Sequence, residues 1–201
     1  NFNKYLEYDH FLKPVNFNKT NYSLQLDQAI RANKLICIHN RDNSLFKTQN
    51  IDLKYHNFRN SNPEKYKILI KNFIDKGYFV VRMGRDSDKE IFINDKNFID
   101  YTFSKYNSEF NDLLLLSNCK YYIGSDSGIS NIPRIFGKKS YFCNFPINQV
   151  HRLTFFHKGL FLPKSIISID NSEPISLRRL FKRGLHKLEV EKEFLKNNTK
   201  F

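Results

Sequence analysis

The chain has 201 residues, 40% of them apolar, enough for one core of ordinary domain size and at most an appendage beside it. Its net charge of +13 at pH 7 fits an anionic partner: a phosphorylated ligand, a nucleic acid or an acidic membrane face. Lys, Asn, Ile, Phe and Tyr crowd the chain while Gly and Pro are few, as AT-rich coding DNA also produces, so charge alone names no function.

Residues 1 to 34 are polar and aromatic with weak periodicity, and read as the link from a missing N-terminal domain, with Leu24, Leu26 and Ile30 hinting at a short element. Leu35-Ile36-Cys37-Ile38 reads as a buried parallel strand that delivers His39-Asn40-Arg41-Asp42 to its carboxyl end, and a long polar loop follows to Asn62. Ser61 or Asn62 then caps a helix with Pro63 and Glu64 in its first turn. Tyr66, Leu69, Ile70, Phe73 and Ile74 carry its apolar stripe, and Gly77 ends it. Tyr78 to Val81 is a second strand ending at Arg82-Met83-Gly84, and Ile91 to Ile93 or Phe98 to Tyr101 supplies a short third. Ser108 caps a helix to Asn118 with Phe110, Leu113 and Leu114 inward. Lys120 to Gly124 is a strand; a helix from about Ser127, or from nearer Ile129 with Pro133 in its first turn, runs to Phe136; and Ser140 to Cys143 is a further strand ending at Asn144. The tail from Ser176 reads as an amphipathic helix interrupted at Gly184. This alternation predicts an α/β fold, a Rossmann-like doubly wound parallel sheet over residues 35–170, with a helical tail at 171–201. The cysteines, Cys37, Cys119 and Cys143, are odd in number and sit at apolar runs. They suit buried thiols in a reducing compartment rather than a disulfide frame or a zinc site. No apolar run has the length of a membrane span and no leader is visible, so a cytoplasmic location is expected.

The most informative stretch is Gly124-Ser125-Asp126-Ser127-Gly128 between an apolar strand and a helical pattern. Strand, tight turn and helix aim free backbone N–H groups at an anion, and the Ser125 and Ser127 hydroxyls add donors. An ordinary serine-capped turn is the alternative. His39-x-Arg41-Asp42 is a candidate anion clamp, because a guanidinium fits a phosphate bidentately; a surface Arg–Asp pair is its alternative. Asp86-Ser87-Asp88 resembles a metal-holding pair of carboxylates, yet its basic flanks, Arg85 and Lys89, suit a solvated loop better, and no metal site is expected. The chain lacks a GxGxxG run, a P-loop lysine and a Gly-x-Ser-x-Gly nucleophile elbow, which argues against a dinucleotide dehydrogenase, an NTPase and a serine hydrolase.

Taken together, several segments resemble a glycosyltransferase of the two-Rossmann-domain (GT-B) type. They are His39-x-Arg41-Asp42, Phe58-Arg59-Asn60 with Tyr66, Gly77 to Gly84, Ile99-Asp100-Tyr101, Cys119 to Gly128, and Asn144 with Pro146. More closely, the chain is similar to a bacterial glycosyltransferase family found with surface-polysaccharide genes, and loosely to fucosyltransferase-type and heptosyltransferase-type enzymes. The resemblance implies the C-terminal, donor-binding half of such an enzyme. Its substrates would be a nucleotide-sugar donor and a saccharide or lipid-linked saccharide acceptor, with peripheral contact at the inner membrane and no nucleic acid or cofactor. It implies that Arg41 meets the donor diphosphate, with His39, Arg82, Gly84, Asp100, Tyr101, Gly124, Ser125, Ser127, Gly128 and Asn144 around the nucleotide. Asp126 and Asp42 are the candidates for the base. The loop after Arg41 lacks the second basic residue of the fucosyltransferase motif, which argues against GDP-fucose. A nucleotide-sugar epimerase of the same fold and a nucleic-acid-binding module are the competing readings.

Overall fold

The structure, a computed structural model, describes residues 11–16, 23–42, 44, 54–125, 127–148, 159–188 and 191–200. Six strands make one all-parallel sheet: β1 (Leu35–His39), β2 (Phe79–Met83), β3 (Phe98–Asp100), β4 (Tyr121–Gly124), β5 (Lys139–Phe145) and β6 (Gly159–Pro163). Their order across the sheet is β3-β2-β1-β4-β5-β6. The chain therefore builds outward from β1 in one direction, then returns to the other side of β1 with β4. Pairing is in register with this order, Leu35 opposite Phe79 and Ile36 opposite Tyr121.

Side-chain alternation along the strands feeds two cores. Leu35, Cys37, Phe79, Val81, Met83 and Tyr122 point to one face, against Leu26, Ala29 and Ile30 of α1 (Leu24–Arg31) and Leu115 and Leu116 of α3 (Glu109–Asn118). Ile36, Ile38, Val80, Phe98 and Ile123 point to the other. There they meet Tyr66, from a 3-10 turn over Pro63–Tyr66, and Ile70, from α2 (Lys67–Asp75). Both faces are covered, which explains why the strands read as unbroken apolar runs. The predicted α/β parallel sheet is present.

Caps fall where the sequence places them in two helices. Asn62 Oδ1 accepts from the Glu64 N–H at 3.0 Å, and Ser108 Oγ accepts from the Asn111 N–H at 3.3 Å. Gly77, at φ 75°, follows the last turn of α2 as expected of a C′ glycine. Other expectations need correction. The short element hinted at by Leu24, Leu26 and Ile30 is the helix α1, whose Leu26, Ala29 and Ile30, about one turn apart, pack on one face into the core. Ile91 to Ile93 forms no strand; Phe98–Asp100 does. In α3, Leu114 is buried as expected but Phe110 is 62% and Leu113 41% exposed, while Asp112, Leu115 and Leu116, with Cys119 at the C-cap, make the buried i, i+3, i+4, i+7 stripe. A carboxylate in its first position hides this stripe from the apolar pattern. Pro133 needs no correction: a 3-10 turn over Gly128–Ser130 leads into α4 (Asn131–Ile135), so the proline stands in the first turn, as expected of a late helix start, where no intrahelical bond needs its missing N–H. The sixth strand was not anticipated: it is an edge strand with Leu160 and Leu162 exposed.

Beyond the sheet, Ile147, Ile166, Ile175, Leu180, Leu185 and Phe194 form a smaller core. It holds α5 (Leu177–Lys182), the break at Gly184, and α6 (Glu191–Lys196). A short antiparallel pair, β7 (Ile167–Ser168) with β8 (Thr199–Lys200), closes it. No described helix is long and apolar enough to cross a membrane.

Candidate functional site

The reversal of strand order places a gap between the connections that leave β1 and β4. In open parallel sheets, ligands bind outside the carboxyl ends of the strands at such a point. A cleft of about 450 Å³ opens there. His39, Asn40, Arg41 and Asp42 enter it from the end of β1, Gly84, Arg85 and Asp86 from the end of β2, and Ser127, Gly128 and Ile129 from the turn after β4. Arg59, Asp112 and Ile132 complete the lining.

The β1 and β4 ends are stitched to each other. The Ser125 N–H donates to His39 O at 3.2 Å, and the Arg41 N–H donates to Ser125 Oγ at 2.8 Å. Ser125 is wholly buried by this role, so its hydroxyl shapes the turn rather than facing the cleft. Gly124 is needed for the same close approach: a Cβ there would stand 2.5 Å from Tyr122 Oη and 3.0 Å from His39 O. Gly128 differs. A Cβ there meets no atom within 4 Å, and the residue is exposed in the cleft. Ser127 lies between them, in extended backbone at the start of the 3-10 turn. Its Oγ is buried and has no hydrogen-bond partner among the described residues.

Arg41 and Arg59 are 7% and 9% exposed, so two guanidiniums stand in a largely water-poor wall of the cleft, where electrostatic attraction is stronger than in bulk water. Arg41 Nη1 donates to Asn60 Oδ1 at 3.2 Å, and the Ser61 N–H donates to Arg41 O at 2.9 Å. Lys164 Nζ donates to Phe58 O at 2.8 Å and to Asn60 O at 3.1 Å, the carbonyls on either side of Arg59. The two arginines are thus held by one short segment. Arg85, half exposed, pairs with Glu109 at 2.8 Å.

His39 Nδ1 lies 3.0 Å from Met83 O. A carbonyl only accepts, so Nδ1 carries the hydrogen and Nε2 the lone pair. Burial pushes the imidazole down to about 4, so at neutral pH it adds no charge to the cleft. Burial would raise the Asp42 carboxyl, but hydrogen bonds outweigh it and hold the group below its ordinary value. Its donors are the Ser87 hydroxyl at 2.6 Å, the Ser44 hydroxyl at 2.7 Å, the Ser44 N–H at 3.1 Å and the Asp88 N–H at 3.4 Å. Asp42 is therefore a half-buried loop carboxylate held in its ionised form by four hydrogen bonds.

Arg82, Asp100, Tyr101, Gly124, Ser125 and Asn144 are not among the lining residues. Arg82 is 1% exposed, and its guanidinium is an internal hub. Nε donates to Asn40 Oδ1 at 2.8 Å, and Nη1 to Asp100 Oδ2 at 2.6 Å and Lys89 O at 2.9 Å. Nη2 donates to Ser87 Oγ. The Asp86-Ser87-Asp88 run is thereby organised around its serine, although Asp86 itself reaches the cleft. Asp100 also accepts from the Ile91 N–H at 2.7 Å. Tyr101, fully buried, donates to Ser108 O at 2.9 Å and accepts from the Ser108 N–H at 2.8 Å, which ties it to the start of α3. Asn144 sits at a bulge in β5 with φ 53°, a conformation asparagine tolerates well, beside the Tyr66 hydroxyl. Asp126 lies outside the described residues. Among the described residues no three His, Cys, Asp or Glu side chains are grouped to hold a metal ion. Gly84 lies in the lining, backed by Thr102, whose Oγ1 would stand 2.9 Å from a Cβ at that position.

Of the sequence candidates, the cleft brings together His39, Arg41, Asp42, Gly84, Ser127 and Gly128. Arg59, Arg85 and Asp112 join them without having been singled out for a role. Asp112 had one legible signal, a charge in the first position of the i, i+3, i+4, i+7 stripe. Compared with known proteins, the chain matches no family model, no curated protein and no solved structure.

Proposed function

We propose that this chain is the donor-binding domain of a glycosyltransferase, which moves a sugar from a nucleotide-sugar donor to a saccharide or lipid-linked saccharide acceptor. The observation that carries the reading is the position of Arg41 and the Ser127–Gly128 turn on one cleft at the strand-order reversal. Departure of a nucleoside diphosphate leaves negative charge on its phosphate oxygens. A guanidinium, the Ser127 hydroxyl and the first N–H groups of the following turn are donors that need no reorganisation as that charge develops. Arg41 and Arg59 supply positive charge from protein side chains, so transfer is expected to proceed without a divalent metal.

The open space at Gly128 leaves room for a phosphate to approach the backbone, as a side chain there would not. An acceptor hydroxyl would enter from the open side of the cleft. The test is a thermal-shift screen of UDP, GDP, CMP and ADP sugars and the free diphosphates on the full chain. A nucleoside diphosphate at about 100 times its Kd should add roughly 2.7 kcal/mol of stability. No shift with any of them at millimolar concentration overturns the reading. Release of nucleoside diphosphate that depends on added acceptor separates transfer from epimerisation. Activity unchanged in EDTA supports the metal-free mechanism, and loss that Mn²⁺ or Mg²⁺ restores refutes it.

A further inference from the structure

Three carboxylates line the cleft, and they stand in different states. Asp42 takes hydrogen bonds from Ser44, Ser87 and Asp88. Asp86 is exposed to water. Asp112 is 7% exposed, and its Oδ1 is buried with no hydrogen-bond partner among the described residues. It projects from the first turn of α3 into a stripe otherwise made of Leu115, Leu116 and Cys119. A leucine at that position would pack as its neighbours do, so packing does not account for the carboxylate. Burying an acceptor without a donor costs free energy that a ligand's donor would recover.

The diesterified diphosphate of a nucleotide sugar carries no hydrogen at neutral pH, and an anion is repelled by a carboxylate. The donor that Asp112 Oδ1 lacks must come from another part of the ligand. We infer that Asp112 receives a sugar-ring hydroxyl of the bound molecule, so that the cleft selects a sugar-bearing diphosphate over a bare anion. The inference rests on the reading of the cleft as a nucleotide-sugar site. Arg41, Arg59 and the Ser127–Gly128 turn hold the diphosphate, and Asp112 marks the side on which ribose or the transferred sugar lies. Burial raises the Asp112 carboxyl above its ordinary value, with the Tyr101 hydroxyl and the Arg85 charge offsetting part of this and Glu109 adding to it. A hydroxyl donor favours the ionised form and relieves the same cost.

The experiment compares pyrophosphate, UDP, GDP and UDP-glucose by calorimetry on the wild-type chain, Asp112→Leu and Asp112→Asn, each checked for a cooperative melt. In Asp112→Leu the sugar-bearing ligands should weaken by about 10- to 100-fold, the range of a hydrogen bond to a charged group, while pyrophosphate does not weaken. Asp112→Asn keeps a carbonyl acceptor and should fall between, which preserves the test if the leucine variant does not fold. Loss already present with UDP or GDP assigns the hydroxyl to ribose. Loss only with UDP-glucose assigns it to the transferred sugar. If both classes of ligand change by the same factor, Asp112 acts through its charge alone and this inference fails while the nucleotide reading stands. If the wild-type chain binds pyrophosphate but none of the nucleotides, both fail.

Discussion

Arg41 follows β1 and Arg82 stands near the end of its neighbour β2, yet only Arg41 lines the cleft. Arg82 is enclosed by Asn40, Asp100, Ser87 and Lys89 O, so removing it leaves the Asp100 carboxylate buried without its cation. Arg82→Met should cost about 3–5 kcal/mol in urea unfolding, and Arg82→Met with Asp100→Leu should recover much of the loss. Arg82→Lys should not restore the wild-type value, because an ammonium cannot reach four acceptors in the guanidinium plane. Arg41→Ala has a different expected signature. It should lower turnover by about 10²–10³, as removal of one preorganised donor does, with a smaller fall in melting temperature. An unstable variant with wild-type turnover per folded molecule would make Arg41 a structural residue. Asp112 gives a third signature. Its carboxyl is raised in the folded chain, so it costs stability above its folded pKa and nothing below the unfolded one. Asp112→Asn should therefore be more stable than wild type at pH 7, and the gain should shrink as the pH falls toward about 4.

The turn after β4 carries two glycines whose replacement separates packing from ligand contact. At Gly124 an added Cβ collides with the Tyr122 ring and with His39 O, and Gly124→Ala should cost about 1–3 kcal/mol of unfolding free energy. Adding Tyr122→Phe removes the oxygen at the shortest contact and should return part of it. At Gly128 nothing stands within 4 Å, so Gly128→Ala should change stability by about 0.5 kcal/mol or less. It should weaken nucleoside diphosphate binding, because the methyl group enters the space the phosphate would use. Equal ligand affinity in Gly128→Ala and wild type would remove this turn from the site. In α3, the helix stripe begins with Asp112 rather than with an apolar residue, and that departure from the pattern is where the helix meets the cleft.

At the scale of the molecule, the sheet order positions the cleft, and the half-buried imidazole of His39 in its lining links that place to acid stability. Its folded pKa lies at about 4, below the ordinary value near 6.5 of the unfolded chain. The unfolded chain binds the proton first, so this contribution is whole above about pH 6.5 and declines as the pH falls toward 4. His39→Asn keeps a donor near the Nδ1 position for Met83 O without a titrating ring. The midpoint of its urea unfolding should fall less between pH 7 and pH 4.5 than that of wild type. Equal declines would mean that other groups govern the acid limb. The charge of +13 adds a second global expectation: affinity for a diphosphate should fall as salt rises, since part of the attraction is long-ranged.

Local pattern in the chain was enough for the parallel α/β class, the strands β1, β2 and β4, the cap at Asn62 and the glycine after α2. Each rests on neighbours in sequence: an apolar run, a proline in a first turn, a left-handed residue. It was enough too for Arg41, Ser127 and Gly128 as residues of one edge, because residues that follow strands of a parallel sheet share its carboxyl end. The face on which each side chain stands was decided only by the tertiary structure. Arg82 and Asp100 have the alternation of Val80 and Phe98 and turn to one side of the sheet, while His39 has that of Cys37 and turns to the other, toward α3. Arg59 and Asp112, distant in sequence, reach the cleft through a segment held by Lys164 and through a helix stripe that opens on a charge. Hydrophobic periodicity records which positions are buried, but a buried carboxylate and a buried guanidinium break that record, and only the packed chain brings their partners and the gap between them together.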